Sequence, residues 1–201
     1  MSKRRTRYEI VRDNREALLA AGQEMFERLG YHRASVDAIA DAAGLSKGAV
    51  YSQFGSKDEL ILAVIERNAE VRRDAMERVQ QSARDATELI RLAYEQTSSS
   101  LPWQAAVIEF RVHAWRDEAL SRRYAELHRR TIDGMTHLIE QFAARTGNES
   151  GRPPAELAQV SVLVSTGLVV ELLADPTLDI ESAVVAIARF AHPRPTTGAS
   201  K

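Results

Sequence analysis

Cysteine is absent from all 201 residues. Its absence excludes disulfides and thiolate metal sites, and permits a reducing compartment without requiring one. The N-terminus, Met1 to Arg7, has no apolar segment behind its charges, so a secretory signal is not expected. Long hydrophobic runs are missing too. The most apolar stretch, Val160 to Ala174, is interrupted by Ser161, Ser165, Thr166, Gly167 and Glu171, and reads as a buried helix too short and too polar to cross a bilayer. By elimination the expected location is cytoplasmic, with no membrane partner. No phosphate-cradling GxxxxGK, no Gly-x-Ser-x-Gly elbow and no His-Glu-x-x-His occurs, which removes the commonest enzyme signatures.

Net charge is nearly absent as well, at −1, but its distribution is uneven. Residues 1–57 hold ten Lys/Arg against seven Asp/Glu, a balance of +3, which leaves −4 for the remainder. Lys3, Arg4, Arg5 and Arg7 open the chain. A basic head on an acidic body directs the head towards a polyanion.

What is present is helical periodicity almost throughout, with no convincing strand alternation. The first helix is predicted from about Ile10 to Leu29, ended by Gly30. Ser35 caps a short second helix burying Val36, Ile39, Ala40 and Ala43, and Gly44-Leu45 turns the chain. Ser46 caps a third helix, Lys47 to Phe54. After Gly55, Ser56 caps a long fourth helix from Lys57 to about Ser82, with Glu59 completing a capping box. Further helices are predicted from about Thr87 to Ser98, Pro102 to Arg116, Glu118 to Arg145, Pro153 to Ala174 and Ile180 to Ala191. The fold class is therefore all-α with about nine helices.

Two short helices joined by a glycine-containing turn make a helix-turn-helix. A helix entering the major groove must present small or polar groups, because bulk would hold it away from the base edges. Lys47, Gly48, Ala49, Ser52 and Gln53 suit that outward face, while Val50 and Phe54, four apart, can point inward together. Tyr51 can offer its hydroxyl to a phosphate. Ser35, Ser46, Ser56 and Lys57 lie at helix starts, where backbone N–H groups favour phosphate oxygens. Any one serine is explained by capping alone; three hydroxyls at three clustered helix starts suit a sugar–phosphate backbone.

Residues 17 to 64 resemble the N-terminal domain of the TetR (tetracycline-repressor-like) family of bacterial regulators. The resemblance rests on Ala20 to Tyr31, on Ser35-Val36-Asp37-Ala38-Ile39-Ala40, on Ala43 through Tyr51, and on Phe54 and Lys57-Asp58-Glu59-Leu60. Two positions depart: Gln53 stands where the family usually has histidine, and Ser52 where it often has an aromatic. The resemblance implies that Ser35, Lys47, Tyr51 and Lys57 contact phosphates, and that Gly48, Ala49, Ser52 and Gln53 lie against base edges. It also implies a homodimer joined through the C-terminal helices, and a small-molecule pocket in each C-terminal domain whose occupancy releases DNA.

The C-terminal residues carry these expectations less explicitly. The Val160 to Ala174 helix is apolar nearly all round, so it must be covered on several sides. Val160, Val164, Leu168 and Leu172, with Val184 and Ile187 of the last helix, are the dimerisation candidates; a wholly internal helix is the alternative. Trp103, Phe110, Arg111, His113, His128 and Met135 are the ligand-binding candidates, although aromatics at helical spacing also make an ordinary core. His113, His128 and His137 lack the close pairing of a metal site, and neither metal nor cofactor is expected.

The expected organisation is a DNA-binding domain at 1–57 with a basic arm at 1–9, a ligand-binding and dimerisation domain at 58–191, and a disordered tail at 192–201. The function expected is a repressor, not an enzyme, that binds a pseudopalindromic operator as a homodimer and is released by an unknown effector. A helical protein–protein adaptor without DNA binding is the alternative.

Overall fold

The computed structural model describes residues 6–85, 88–92, 100–147, 151–179, 182, 183 and 186. Among them stand seven named helices and no strand: α1 (Arg7–Arg33), α2 (Val36–Ala42), α3 (Lys47–Phe54), α4 (Lys57–Ser82), α5 (Leu101–Ala114), α6 (Glu118–Thr146) and α7 (Pro154–Ala174). Residues 88–92 are helical as well. The first residues of the basic arm, most of the expected last helix with Val184 and Ile187, and the tail at 192–201 lie outside the described residues.

Helix α1 starts three residues before the expected Ile10. Thr6 Oγ1 accepts from the Glu9 N–H at 3.2 Å while Glu9 Oε2 accepts from the Thr6 N–H at 2.7 Å, a complete capping box. At Ser56 only half of the expected box forms. Its Oγ accepts from the Glu59 N–H at 3.1 Å, but the Glu59 carboxylate pairs with Arg123 of α6.

The chain divides into two units, Met1–Glu70 with Pro102–Leu127, and Val71–Leu101 with His128–Lys201. The compact unit that holds the two short helices thus runs on into α4 and takes in α5 and the start of α6. Its core comprises Leu18, Phe26, Ile39, Val50, Leu60, Ile61, Val64 and Phe110, all sealed from solvent. On α1 the buried Leu18, Ala21, Gly22, Met25 and Phe26, and on α4 Leu60, Ile61 and Val64, recur at helical spacing, so each helix turns one stripe inward.

Gly30 breaks α1 with φ 76° and ψ 169°, a region that essentially only glycine occupies. A side chain here would also collide with Glu109 of α5, because a Cβ would lie 2.5 Å from Glu109 Oε1. Glu109 accepts from the His32 N–H at 3.2 Å, tying the turn after the kink to α5. Tyr31, 2% exposed, donates its hydroxyl to Asp58 of α4, and His113 Nε2 of α5 lies 3.5 Å from the same carboxylate oxygen. Burial first, then the hydrogen bond and charge of Asp58, hold the Tyr31 pKa above the ordinary phenol value.

The second unit has a smaller described core, in which Ala83 and Phe142 pack with Leu89 and Leu92. Arg145 donates to the carbonyl of Gln80 in the last turn of α4 and to that of Ala83 just beyond it, the latter at 2.8 Å, with its guanidinium 5.3 Å from the Phe142 ring centre. Helix α7 corrects an expectation. It spans Pro154–Ala174, within one residue of the bounds expected, but its 21 residues are long and apolar enough to cross a membrane by length and composition, where the apolar stretch alone was read as too short and too polar. Only Ala158 and Val169 of α7 are buried, so the helix is not an internal one within this chain.

Candidate nucleic-acid interface

Helices α2 and α3 are set by their punctuation. Ser35 Oγ accepts from the Ala38 N–H at 3.1 Å, and Ser46 Oγ accepts from the Ala49 N–H at 3.3 Å. Each cap satisfies one of the N–H groups that a helix start leaves unpaired. Capping uses an oxygen lone pair, so each hydroxyl proton stays available to an outside acceptor. Between the helices Gly44 turns the chain at φ 67°, where the Leu45 N–H reaches the Ala40 carbonyl at 2.9 Å. Gly55 ends α3 at φ 80°.

Helix α3 is amphipathic in the sense its residues require. Val50 is sealed and Phe54 is 9% exposed, with the Arg15 guanidinium 4.5 Å from the Phe54 ring centre. The opposite side exposes Lys47, Gly48, Tyr51 and Ser52, with Ala49 and Gln53 half-buried. Ser35 and Ser46 are exposed beside them.

Gly48 is informative. Its φ is not positive, and a Cβ there would meet only Ser46 Oγ at 3.7 Å, an ordinary contact. Nothing within this chain requires glycine at that position. Glycine in a helix costs roughly 0.5–1 kcal/mol relative to alanine, a cost that the contact with Ser46 does not explain.

Two lysines of the expected DNA-contact set have partners inside the protein. Lys47 Nζ lies 2.9 Å from Asp37 Oδ2 of α2. Lys57 Nζ donates to the carbonyls of Tyr31 at 3.0 Å, Ala34 at 3.2 Å and His32 at 3.4 Å, and lies 4.4 Å from the Tyr31 ring centre. Burial lowers its pKa, against the charges of Asp58 and Glu109. All three ammonium protons therefore have carbonyl acceptors. The acidic partners Asp37, Asp58 and Glu109 were not legible as such, because their contacts span between 10 and 77 residues of sequence.

The ligand-binding candidates are divided between the two units. Trp103 and Phe110, 4% and 0% exposed, belong to the core of the first unit. Arg111 lies 5.7 Å from the Tyr124 ring centre and His113 sits beside Asp58, both also in the first unit. His128 and Met135 are half-buried residues of the second unit.

Residues 18–64 match the family described as bacterial regulatory proteins, tetR family. This segment is a TetR-family domain. The TetR-family match spans α1 from Leu18 to the first turns of α4, the segment that carries the caps at Ser35, Ser46 and Ser56. A similar protein is the HTH-type transcriptional activator FasR of Mycolicibacterium smegmatis, 40% identical over 87 residues, which are 43% of this chain and 40% of that relative. The chain thus aligns with less than half of FasR. Among solved structures, a putative transcriptional regulator from Rhodococcus sp. RHA1 shares the fold with a TM-score of 0.76 at 19% identity, over 91% of this chain and 97% of that one. The regulator FadR of Bacillus subtilis, solved in complex with stearoyl-CoA, gives 0.67 at 15% identity, over 89% of this chain and 97% of its own. The TetR-like arrangement of helices therefore extends well beyond the matched domain.

Proposed function

We propose that this chain is a cytoplasmic transcriptional regulator that binds a pseudopalindromic operator as a homodimer and is released from it by a small-molecule effector. The observation that carries the reading is the outward side of α3, where Gly48 stays bare with room for a side chain, flanked by exposed Lys47, Tyr51 and Ser52. Such a surface admits base edges at Gly48, Ala49, Ser52 and Gln53, and places hydroxyls of Ser35, Ser46 and Tyr51 for the backbone. Lys57 would reach a phosphate only by giving up the carbonyls of Tyr31, His32 and Ala34. A protein–protein adaptor has no use for a glycine that weakens its own helix.

The homodimer is supported by α7, whose Val160, Leu163, Val170 and Leu173 are between 46% and 71% exposed. A second copy covering them turns a liability in water into an interface. Val164, Leu168 and Leu172 are half-buried on the same helix. Twofold symmetry would present two α3 helices to two like half-sites.

The effector is proposed to meet the C-terminal part of the chain, with Arg111, His113, His128 and Met135 the half-buried candidates. Stearoyl-CoA, the compound bound to the Bacillus subtilis FadR, is the first probe to try. Release by an effector corresponds to repression. The activator description of FasR supports a second reading, in which the same contact with DNA turns transcription on.

The decisive experiment is a mobility shift with the DNA upstream of the gene. Wild-type binding should weaken steeply with salt, because each phosphate contact displaces counterion. Tyr51→Ala, at an exposed position, should unfold like the wild type and lose the shift. An intact shift by that variant would sink the assignment.

A further inference from the structure

Lys47 is the first residue of α3, at the end of the helix where unpaired N–H groups already carry partial positive charge. Its ammonium gains nothing from α3 itself. Instead it crosses the turn to Asp37 in the first turn of α2, with Nζ 2.9 Å from Oδ2. The two side chains are 51% and 62% exposed, and an ion pair so open to water adds little to stability. The hydrogen bond and charge of Asp37 nevertheless raise the Lys47 pKa above its ordinary value. A carboxylate oxygen at this distance offers what a phosphate oxygen would: negative charge and an acceptor for the same N–H.

We infer that Asp37 is a built-in competitor for the DNA backbone, holding Lys47 in the free protein so that a phosphate must displace it. The inference rests on the DNA-binding reading above and adds a specificity device to it. A lysine already neutralised by its neighbour contributes less to sequence-independent attraction, since less counterion is released when it meets phosphate. Base contacts along α3 then carry a larger share of the preference for one sequence over another. Asp37 is thus a positioning residue for Lys47, acting on affinity for any duplex and not on the base edges.

Sequence-independent binding can be measured without knowing the operator. A labelled random-sequence duplex is titrated with wild type, Asp37→Asn, Lys47→Met and the double variant, across about 50 to 200 mM salt. The expected result is that Asp37→Asn binds on the order of tenfold tighter per protomer at low salt, with a log–log salt slope steeper by about 0.9 per protomer. In the Lys47→Met background the same change should bring no gain. A role confined to holding α2 against α3 would alter thermal unfolding and leave the salt slope alone.

Equal or weaker binding by Asp37→Asn overturns the inference while leaving the DNA-binding reading intact. A gain that persists in the Lys47→Met background overturns it too, since Asp37 would then act by its own repulsion of phosphate. If the wild type binds no duplex at any salt, both readings fall.

Discussion

A methyl group in place of one hydrogen separates alanine from Gly48, and the surroundings within the chain have room for it. Substituting alanine removes the conformational freedom that glycine retains in the unfolded chain, and with it a cost to the helix. Gly48→Ala should therefore leave stability unchanged or raise it by up to about 1 kcal/mol. The same methyl would stand between α3 and a base edge, so DNA binding should fall. Thermal unfolding and a mobility shift on one preparation check both halves. If stability rises and binding is untouched, the outward side of α3 does not approach DNA as closely as proposed. Lys47 and Lys57 illustrate a related point: a cation near a helix start is not by that fact available to a partner. Lys57 is spent on three carbonyls, whereas Lys47 is held by one exposed carboxylate that water and salt can loosen.

Between elements, the closest fastening in the first unit joins the end of α1, the start of α4 and α5 through Tyr31, Asp58, His113 and Glu109. The phenol at its centre sets a pH dependence. An unfolded tyrosine loses its proton near pH 10, whereas the folded chain keeps Tyr31 protonated above that point. Its contribution is thus complete below about pH 10 and falls above it, by up to about 1.4 kcal/mol per pH unit. Urea unfolding of wild type and Tyr31→Phe at about pH 9 and 11 should show the wild type losing more stability. Parallel losses would mean that the hydroxyl does not hold the join. This fastening was invisible in the sequence, because its partners lie 27 to 77 residues apart. The bounds of α2 and α3, in contrast, were legible almost to the residue. Their signals are local: serine caps at 35 and 46, glycines at 44 and 55, and buried residues at 50 and 54. The start of α1 was equally local, in Thr6 and Glu9, yet was hidden among the basic residues that drew attention to charge. The half-formed box at Ser56 failed for the opposite reason, since Arg123 lies 64 positions away from the Glu59 it captures. The start of α7 was legible too, because Pro153 and Pro154 announce a helix six residues before its apolar run.

For the whole molecule, the apolar residues of α7 decide how the proposed DNA reading is deployed. Leu163 is 71% exposed, so a charge there should cost the isolated chain little. Placed in a dimer interface, the same charge would be buried without a partner, a large penalty. Leu163→Glu should therefore run as a monomer in sedimentation velocity, keep its helical content, and lose cooperative binding to a two-half-site operator. A dimer that survives this change would place the interface elsewhere. The uncovered length of α7 also bears on abundance inside the cell. If a second copy covers it, the folded state is favoured by mass action and becomes more stable as the protein accumulates. Freshly made chains at low copy number would display a sticky helix to chaperones and proteases before meeting a mate. The regulator would then be removed fastest when scarcest, giving its own supply a threshold that no promoter has to encode.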